Sequence, residues 1–346
     1  MFTSPLIALM LACSGASEVE APKPAPKAEA PAPKKPEDPL RLRAKSTFGT
    51  PPAEAENPDN PVTDAKIALG RALYYETRLS KKNDISCNTC HDLAAYGVDG
   101  DPTSTGHKGQ KGGRNAPTVY YAAFHFTQFW DGRAKDVEAQ AGGPVLNPIE
   151  MAMPTREKVV ERLNKIEGYP PLFAAAFEGE EDPVTYGNME KAIGAFERRL
   201  VTPAPFDAWL AGDDGAMNDA QKKGLTVFMD TGCTTCHMGD VFGGQMYQKL
   251  GLIKPWDNPD EGRKEVTGKA GDLQMFKVPS LRNIAKTGPY LHDGSISDLS
   301  EIVKKMGEYQ LGRDLSDEDV ASIVAFFDSL TGEIDAEYIA KPELPG

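Results

Sequence analysis

Apolar positions recur mostly at helical spacing along this chain. Thr63 stands where an N-cap would, ahead of Ile67, Leu69, Leu73 and Tyr74. Its hydroxyl can accept from an amide of the first turn that has no carbonyl partner. Asn218 precedes a second helical stretch, Asp219 to Asp230, in which Leu225 and Phe228 share a face. Ser316 opens a third, with Asp319 at the position where a capping box favours Glu. Val320, Ile323, Val324, Phe327 and Leu330 then form one stripe, and Gly332 is the expected stop. Alternation at period two is scarce, so the predicted fold is mostly α.

With 346 residues the chain has room for two domains. Its net charge of −13 argues against a nucleic-acid binder, which needs a basic surface. The longest strongly apolar run, Leu6 to Cys13, is well short of the ~18 residues of a spanning helix. Residues 1–13 read as an export segment. Leu11-Ala12-Cys13 resembles a lipoprotein processing site, although Met10 stands where Leu is usual and no Lys or Arg precedes it. A lipid anchor at Cys13 is the expectation and a plain cleaved signal peptide the alternative; both put the protein in the periplasm. Residues 14–40 follow as a Pro/Ala/Lys/Glu-rich tether. Glu18 to Pro39 holds seven Pro, five Ala and four Lys, with little to bury, and is expected to stay extended. At ~3.1 Å per residue such a segment reaches roughly 70 Å. It nets only −1, so the acidity belongs to the body that follows.

The other four cysteines fall as Cys87-Asn88-Thr89-Cys90-His91 and Cys233-Thr234-Thr235-Cys236-His237. C-x-x-C-H is the c-type haem attachment pattern. Two thiols add to the haem vinyl groups and the adjacent His reaches the iron. A zinc knuckle or a thioredoxin-like pair would use C-x-x-C but gives no reason for His after the second Cys in both copies. The two His lie 146 residues apart, one domain's length. Two cytochrome-c-like domains, each with one covalent c-type haem, are therefore expected: 41–202, to which the tail 333–346 is assigned, and 203–332.

The sixth iron ligands decide the chemistry, because a saturated haem transfers electrons while one with an open position can bind a substrate. Five His exist, leaving His107, His125 and His292 beyond the two proximal ones. His107 lies in the Gly-rich stretch Ser104 to Gln110, where an exposed loop His competes with a displaceable ligand. His125, between Phe124 and Phe126, reads as structural. His292 could touch a haem edge or bond locally to Asp293. For the second haem Met306 is the leading thioether, with Met275, Met246 and Met238 behind it.

Several short motifs follow in order: Arg114-Asn115-Ala116-Pro117-Thr118, Gln128-Phe129-Trp130-Asp131-Gly132-Arg133, Glu138-Ala139-Gln140-Ala141, Glu150-Met151, Phe276 to Asn283 and Thr287-Gly288-Pro289-Tyr290 with His292-Asp293-Gly294. Together they resemble the bacterial dihaem cytochrome c peroxidases. The similarity runs from about Asn60 to Leu330. It implies that the first haem is the peroxide-binding one and the second a high-potential electron store. His91 and His237 would be proximal ligands, His107 the removable distal ligand and Met306 the ligand completing the electron-transfer haem. Trp130 would lie between the haems, Glu150 would be the acid–base residue with Gln140 beside it, and Asn115, Thr287 and Pro289 would hold calcium. Oxygen-only ligation suits that hard cation.

The implied reaction is reduction of hydrogen peroxide to water with electrons from a small donor. A basic cytochrome c or a cupredoxin would be steered by the acidic body. Homodimers are common in the family. Two rivals remain at this stage. One is a relative that oxidises tryptophans of a partner protein and carries Tyr where this chain has Met306. The other is a non-enzymatic dihaem electron carrier, which leaves Glu150, Gln140 and the His107 loop without a task.

Overall fold

The computed structural model describes residues 37–346 and, before them, Met1 alone. The export segment, Cys13 and most of the expected tether lie outside the described residues. Among the described residues the first helix is α1 (Pro39–Lys45), followed by α2 (Asp64–Tyr74), α3 (Cys87–Cys90), α4 (Val137–Leu146), α5 (Arg156–Asn164), α6 (Tyr169–Ala176) and α7 (Tyr186–Glu197). The second half carries α8 (Pro205–Ala211), α9 (Asp219–Thr231), α10 (Lys264–Thr267), α11 (Leu299–Leu311) and α12 (Asp317–Asp328). Strands β1 (Tyr247–Lys249) and β2 (Met275–Lys277) pair antiparallel, with Gln248 opposite Phe276. The fold is mostly α, in the two cytochrome-type parts that the haem motifs imply.

Two separate cores hold these helices. In the first, Leu69 and Leu73 of α2 meet Met189, Ile193 and Phe196 of α7, all fully buried. In the second, Leu225 and Phe228 of α9 meet Ile323 and Phe326 of α12. Each buried side chain of this kind contributes roughly 1.5–3 kcal/mol. Both crossings depend on a glycine. A Cβ on Gly70 would stand 1.9 Å from Ala192 O, and one on Gly224 would stand 1.8 Å from Ser322 O, so only glycine lets the backbones approach. A buried ion pair locks each half: Arg198 with Glu138 at 2.8 Å in the first, Arg282 with Asp207 at 2.7 Å in the second.

The three expected caps form. Thr63 accepts from Lys66 N, Asn218 from Gln221 N and Ser316 from Asp319 N. The third helix stops at Asp328, four residues before Gly332. Gly332 serves a different purpose, since a Cβ there would stand 2.0 Å from Thr202 O.

The segment counted at both ends of the tether boundary also differs from expectation. Asp38 caps α1, whose first residues are Pro39 and Leu40, so the extended stretch does not reach residue 40. Leu40, Ala44 and Phe48 pack into the second core, not the first. Phe48 stacks on Phe242 at 4.3 Å, and Arg41 pairs with Asp214. The start of the first assigned domain thus packs with the second. At the other end, Ile339 enters the first core and Tyr338 stacks on Phe196 at 5.2 Å.

Candidate haem cavity

Each C-x-x-C-H follows a core helix that fixes its approach. Ser86 caps α3, its own amide bonding Thr89 Oγ1 at 3.0 Å, and Tyr74 Oη donates to His91 O at 2.8 Å. In the second half Gly232, at φ 97°, ends α9 and turns directly into Cys233. His91 Nδ1 lies 3.3 Å from Gly97 O and His237 Nδ1 3.1 Å from Phe242 O. A carbonyl can only accept, so Nδ1 carries the proton in both rings and Nε2 presents a lone pair. Burial holds both imidazoles below their usual pKa and so neutral.

The four cysteines are unbridged. Burial pushes all four thiols up, Cys233 to about 11, which is the reverse of a reactive dithiol. They border a continuous cavity of about 650 Å³ that takes in both Cys-Cys-His sets. Paired thiols at the wall and a neutral His with Nε2 free form the donor set that a covalently attached haem requires. The residues fit the group.

Most of the expected site residues border this cavity: Glu150, Gln140, Trp130, Asn115, Thr287, Pro289 and Met306. Among the four methionines considered for the second iron, Met306 is the one at the wall; it projects from α11, and Met238 is exposed. Trp130 Nε1 donates to Asn115 O at 3.0 Å, and its backbone O accepts from Lys277 N at 2.8 Å, so the residue bonds to both halves, the indole to the first and the main chain to the second. Glu150 accepts from Asn147 Nδ2 at 2.9 Å. Burial raises its pKa, partly offset by Arg133 and that hydrogen bond. A second opening of about 240 Å³, lined by Phe129, Arg133 and Pro144, also reaches Glu150.

His107 departs from the exposed-loop alternative of the sequence reading. It is buried, not an exposed loop residue, yet it does not border the cavity. Burial, with Lys82, Lys108 and Lys81 nearby, holds its imidazole below the usual pKa, and its Nδ1 is buried without a partner. Its backbone amide is shared between Ile149 O at 2.7 Å and Glu150 O at 2.8 Å. A Cβ on Gly106 would stand 2.1 Å from Ile149 O, so this approach also needs glycine. The His107 loop is therefore pinned to the backbone of the acid–base candidate, with its ring turned away.

His292 bonds Asn258 at 2.5 Å and lies 3.8 Å from Asp260. The local bond to Asp293 is not made, because that carboxylate accepts from Ser295 N. The imidazole stacks on Phe276 at 4.2 Å and meets Trp130 edge-on at 6.3 Å. Arg114 crosses between the halves, bonding Asp131 at 2.5 Å, Asp260 at 2.6 Å and Glu265 at 2.9 Å. Three residues received no role from the sequence: Arg114, Lys277 and Glu197. All three border the cavity. The first two lie inside the quoted motifs, which was the available signal; Glu197 offered none.

Comparison with known proteins agrees with this geometry. Residues 64–215 match the family model described as di-haem cytochrome c peroxidase, and residues 221–331 match that for cytochrome c. The cytochrome c551 peroxidase of Pseudomonas aeruginosa is 44% identical over 303 residues, covering 86% of this chain and 87% of its own. That of Nitrosomonas europaea is 45% identical over 286 residues, covering 82% and 84%. Among solved structures, a MauG-like protein associated with microbial copper homeostasis superposes with a TM-score of 0.76 at 28% identity, covering 84% of this chain and 97% of its own.

Proposed function

The chain belongs to the di-haem cytochrome c peroxidase family, and from that footing we propose that it reduces hydrogen peroxide to water with electrons from a small donor protein. The balance is one peroxide, two electrons and two protons to two waters. Cytochrome c domains carry c-type haem, and two such groups would supply the electrons and an iron position that takes the oxidant.

In this reading His91 and His237 would hold the two haem irons, and the Met306 thioether would complete the second, where it would favour the reduced state. Glu150 takes the proton from bound peroxide and returns it to the departing oxygen, so that water leaves. Its half-buried position, where desolvation raises its pKa, suits a group that must both accept and give. Gln140 faces the same cavity and orients the oxidant. Trp130, bonded to both halves, is the bridge for electrons. His107 is the removable ligand, and the arrangement with its ring turned away is the released state of a two-state loop. Calcium at Asn115, Thr287 and Pro289 would be held by neutral oxygens. Among the described residues no three His, Cys, Asp or Glu side chains converge to hold a metal.

The donor proposed is a basic monohaem cytochrome or a cupredoxin, matched to the acidic body. The place of action is the periplasm, with Cys13 as a lipid anchor, and a homodimer is the proposed assembly. No described helix is long and apolar enough to cross a membrane. The observation that carries the peroxidase reading is Glu150: a half-buried carboxyl bordering the haem cavity, its pKa raised by desolvation, which a simple electron carrier would not need. Met306, in place of Tyr, supports peroxidase over tryptophan oxidation. The test is Glu150→Gln. Peroxide turnover is expected to fall by ~10²–10⁴, the usual worth of a positioned acid–base group, with both haem spectra intact. Full activity in that variant would remove the assignment.

A further inference from the structure

Among the described residues four cationic side chains are deeply buried: Arg41, Arg198, Lys277 and Arg282. The three arginines each pair with a carboxylate, Asp214, Glu138 and Asp207 respectively. Lys277 has no carboxylate within ion-pair distance among the described residues. An isolated buried ammonium is costly unless something compensates it. Its Nζ donates to Thr127 O at 2.9 Å and to His125 Nδ1 at 3.1 Å, which engages two of its three protons.

His125 carries a matching deficit. Because Nδ1 accepts from Lys277, the neutral ring must bear its proton on Nε2, and that atom is buried without a partner. The ring cannot swing away to find one. A Cβ on Gly244 would stand 2.3 Å from His125 Cδ2, and Phe126 N is bonded to Gly244 O at 3.0 Å. Lys277 is held as firmly through its amide on Trp130 O. Both side chains border the cavity that takes in the two Cys-Cys-His sets. A rigid site at the seam thus offers one ammonium with no ion-pair partner among the described residues, eased only at a distance by Asp131, and one unused N–H donor.

We propose that Lys277 and His125 form a carboxylate-binding pocket at this seam, and that its occupant is a propionate of a covalently bound haem. The inference rests on the di-haem reading. It goes beyond it by naming what fixes the orientation of the haem edge and by adding a charge that tunes the iron. With the carboxylate in place Lys277 is fully protonated; left alone, burial lowers its pKa to about 7. A cation at the propionate disfavours the ferric state.

The test uses the holoprotein, with haems per chain counted on the same samples, so that a wrong haem count strikes the di-haem reading separately. In the unmodified protein, resonance Raman spectra should show a propionate bending band of one haem that shifts between H₂O and D₂O. In Lys277→Leu that sensitivity should shrink, because only the His125 N–H remains to donate. The ferric-to-ferrous ratio of the same haem at fixed poise should rise about tenfold, a fall of about 59 mV for a one-electron couple. Lys277→Arg should keep the ratio within threefold. A solvent-insensitive band in the unmodified protein, or an unchanged ratio in Lys277→Leu, would overturn the proposal. A ratio that follows added phosphate would do the same, since it would make the occupant a free anion.

Discussion

Replacing Gly106 by Ala tests whether the His107 loop is held out by the contacts described. The backbone there is at φ −107°, where any residue is at home, so the effect is steric. The new Cβ would start 2.1 Å from Ile149 O, and non-bonded carbon and oxygen need at least 3.0 Å. The carbonyl and the loop must separate by about 1 Å. His107 N, now 2.7 Å from Ile149 O and 2.8 Å from Glu150 O, is then beyond hydrogen-bond distance of the first. The amide keeps Glu150 O, so the loss is that of one hydrogen bond, about 0.5–1.5 kcal/mol. At 1.4 kcal/mol per tenfold change, the released state loses roughly 2- to 12-fold in population. The assay is the high-spin absorbance of the half-reduced protein, read with the rate of peroxide turnover. Gly106→Ala should stay more low-spin than the parent under conditions that convert the parent. If it converts to the same extent, the loop is not held by these carbonyls and the gating argument fails.

Three further outcomes are expected. His107→Gly should turn over peroxide without prior reduction; a continued need for reduction would exclude His107 as the gate. Glu197, buried beside Glu138, has its pKa raised to about 8 by burial and that carboxylate, against an ordinary 4.5. Its contribution to folding stability is therefore complete below about 4.5 and lost as pH rises towards 8, because the unfolded chain ionises first. Urea unfolding between pH 5 and pH 9 should show Glu197→Gln losing a few kcal/mol less than the parent, and parallel curves would refute this. Turnover with a reduced basic cytochrome should slow as salt rises, because screening removes the steering of a chain with net charge −13; a salt-independent rate would point to an apolar docking contact.

The haem motifs and helix caps were legible in the sequence because they are local. C-x-x-C-H is five residues, and a cap spans four. The crossing of α9 with α12 follows from the stripe Val320 to Leu330, but nothing in that stripe specifies that Gly224 must take the approach. What the sequence left open depends on contacts between distant residues. Arg41 and Phe48 join the second core because Asp214, Phe206 and Phe242 await them there. His125 reads as a structural residue between two phenylalanines until Lys277, 152 positions later, is brought to its Nδ1. His107 lies in a stretch whose glycines signal a loop, yet the carbonyls of Ile149 and Glu150 draw it into cover.

One peptide group, the N–H of His107, answers to the carbonyl of the very residue proposed to handle the proton. The proposed gate and the proposed acid are thus geared together, and neither can be repositioned without disturbing the other. Such an interlock imposes an order of events: the oxidant meets a competent proton relay only after the obstruction has gone. A variant that uncoupled the two would expose the metal to its oxidant with no means of disposing of the products cleanly, and its signature would be self-inactivation during turnover.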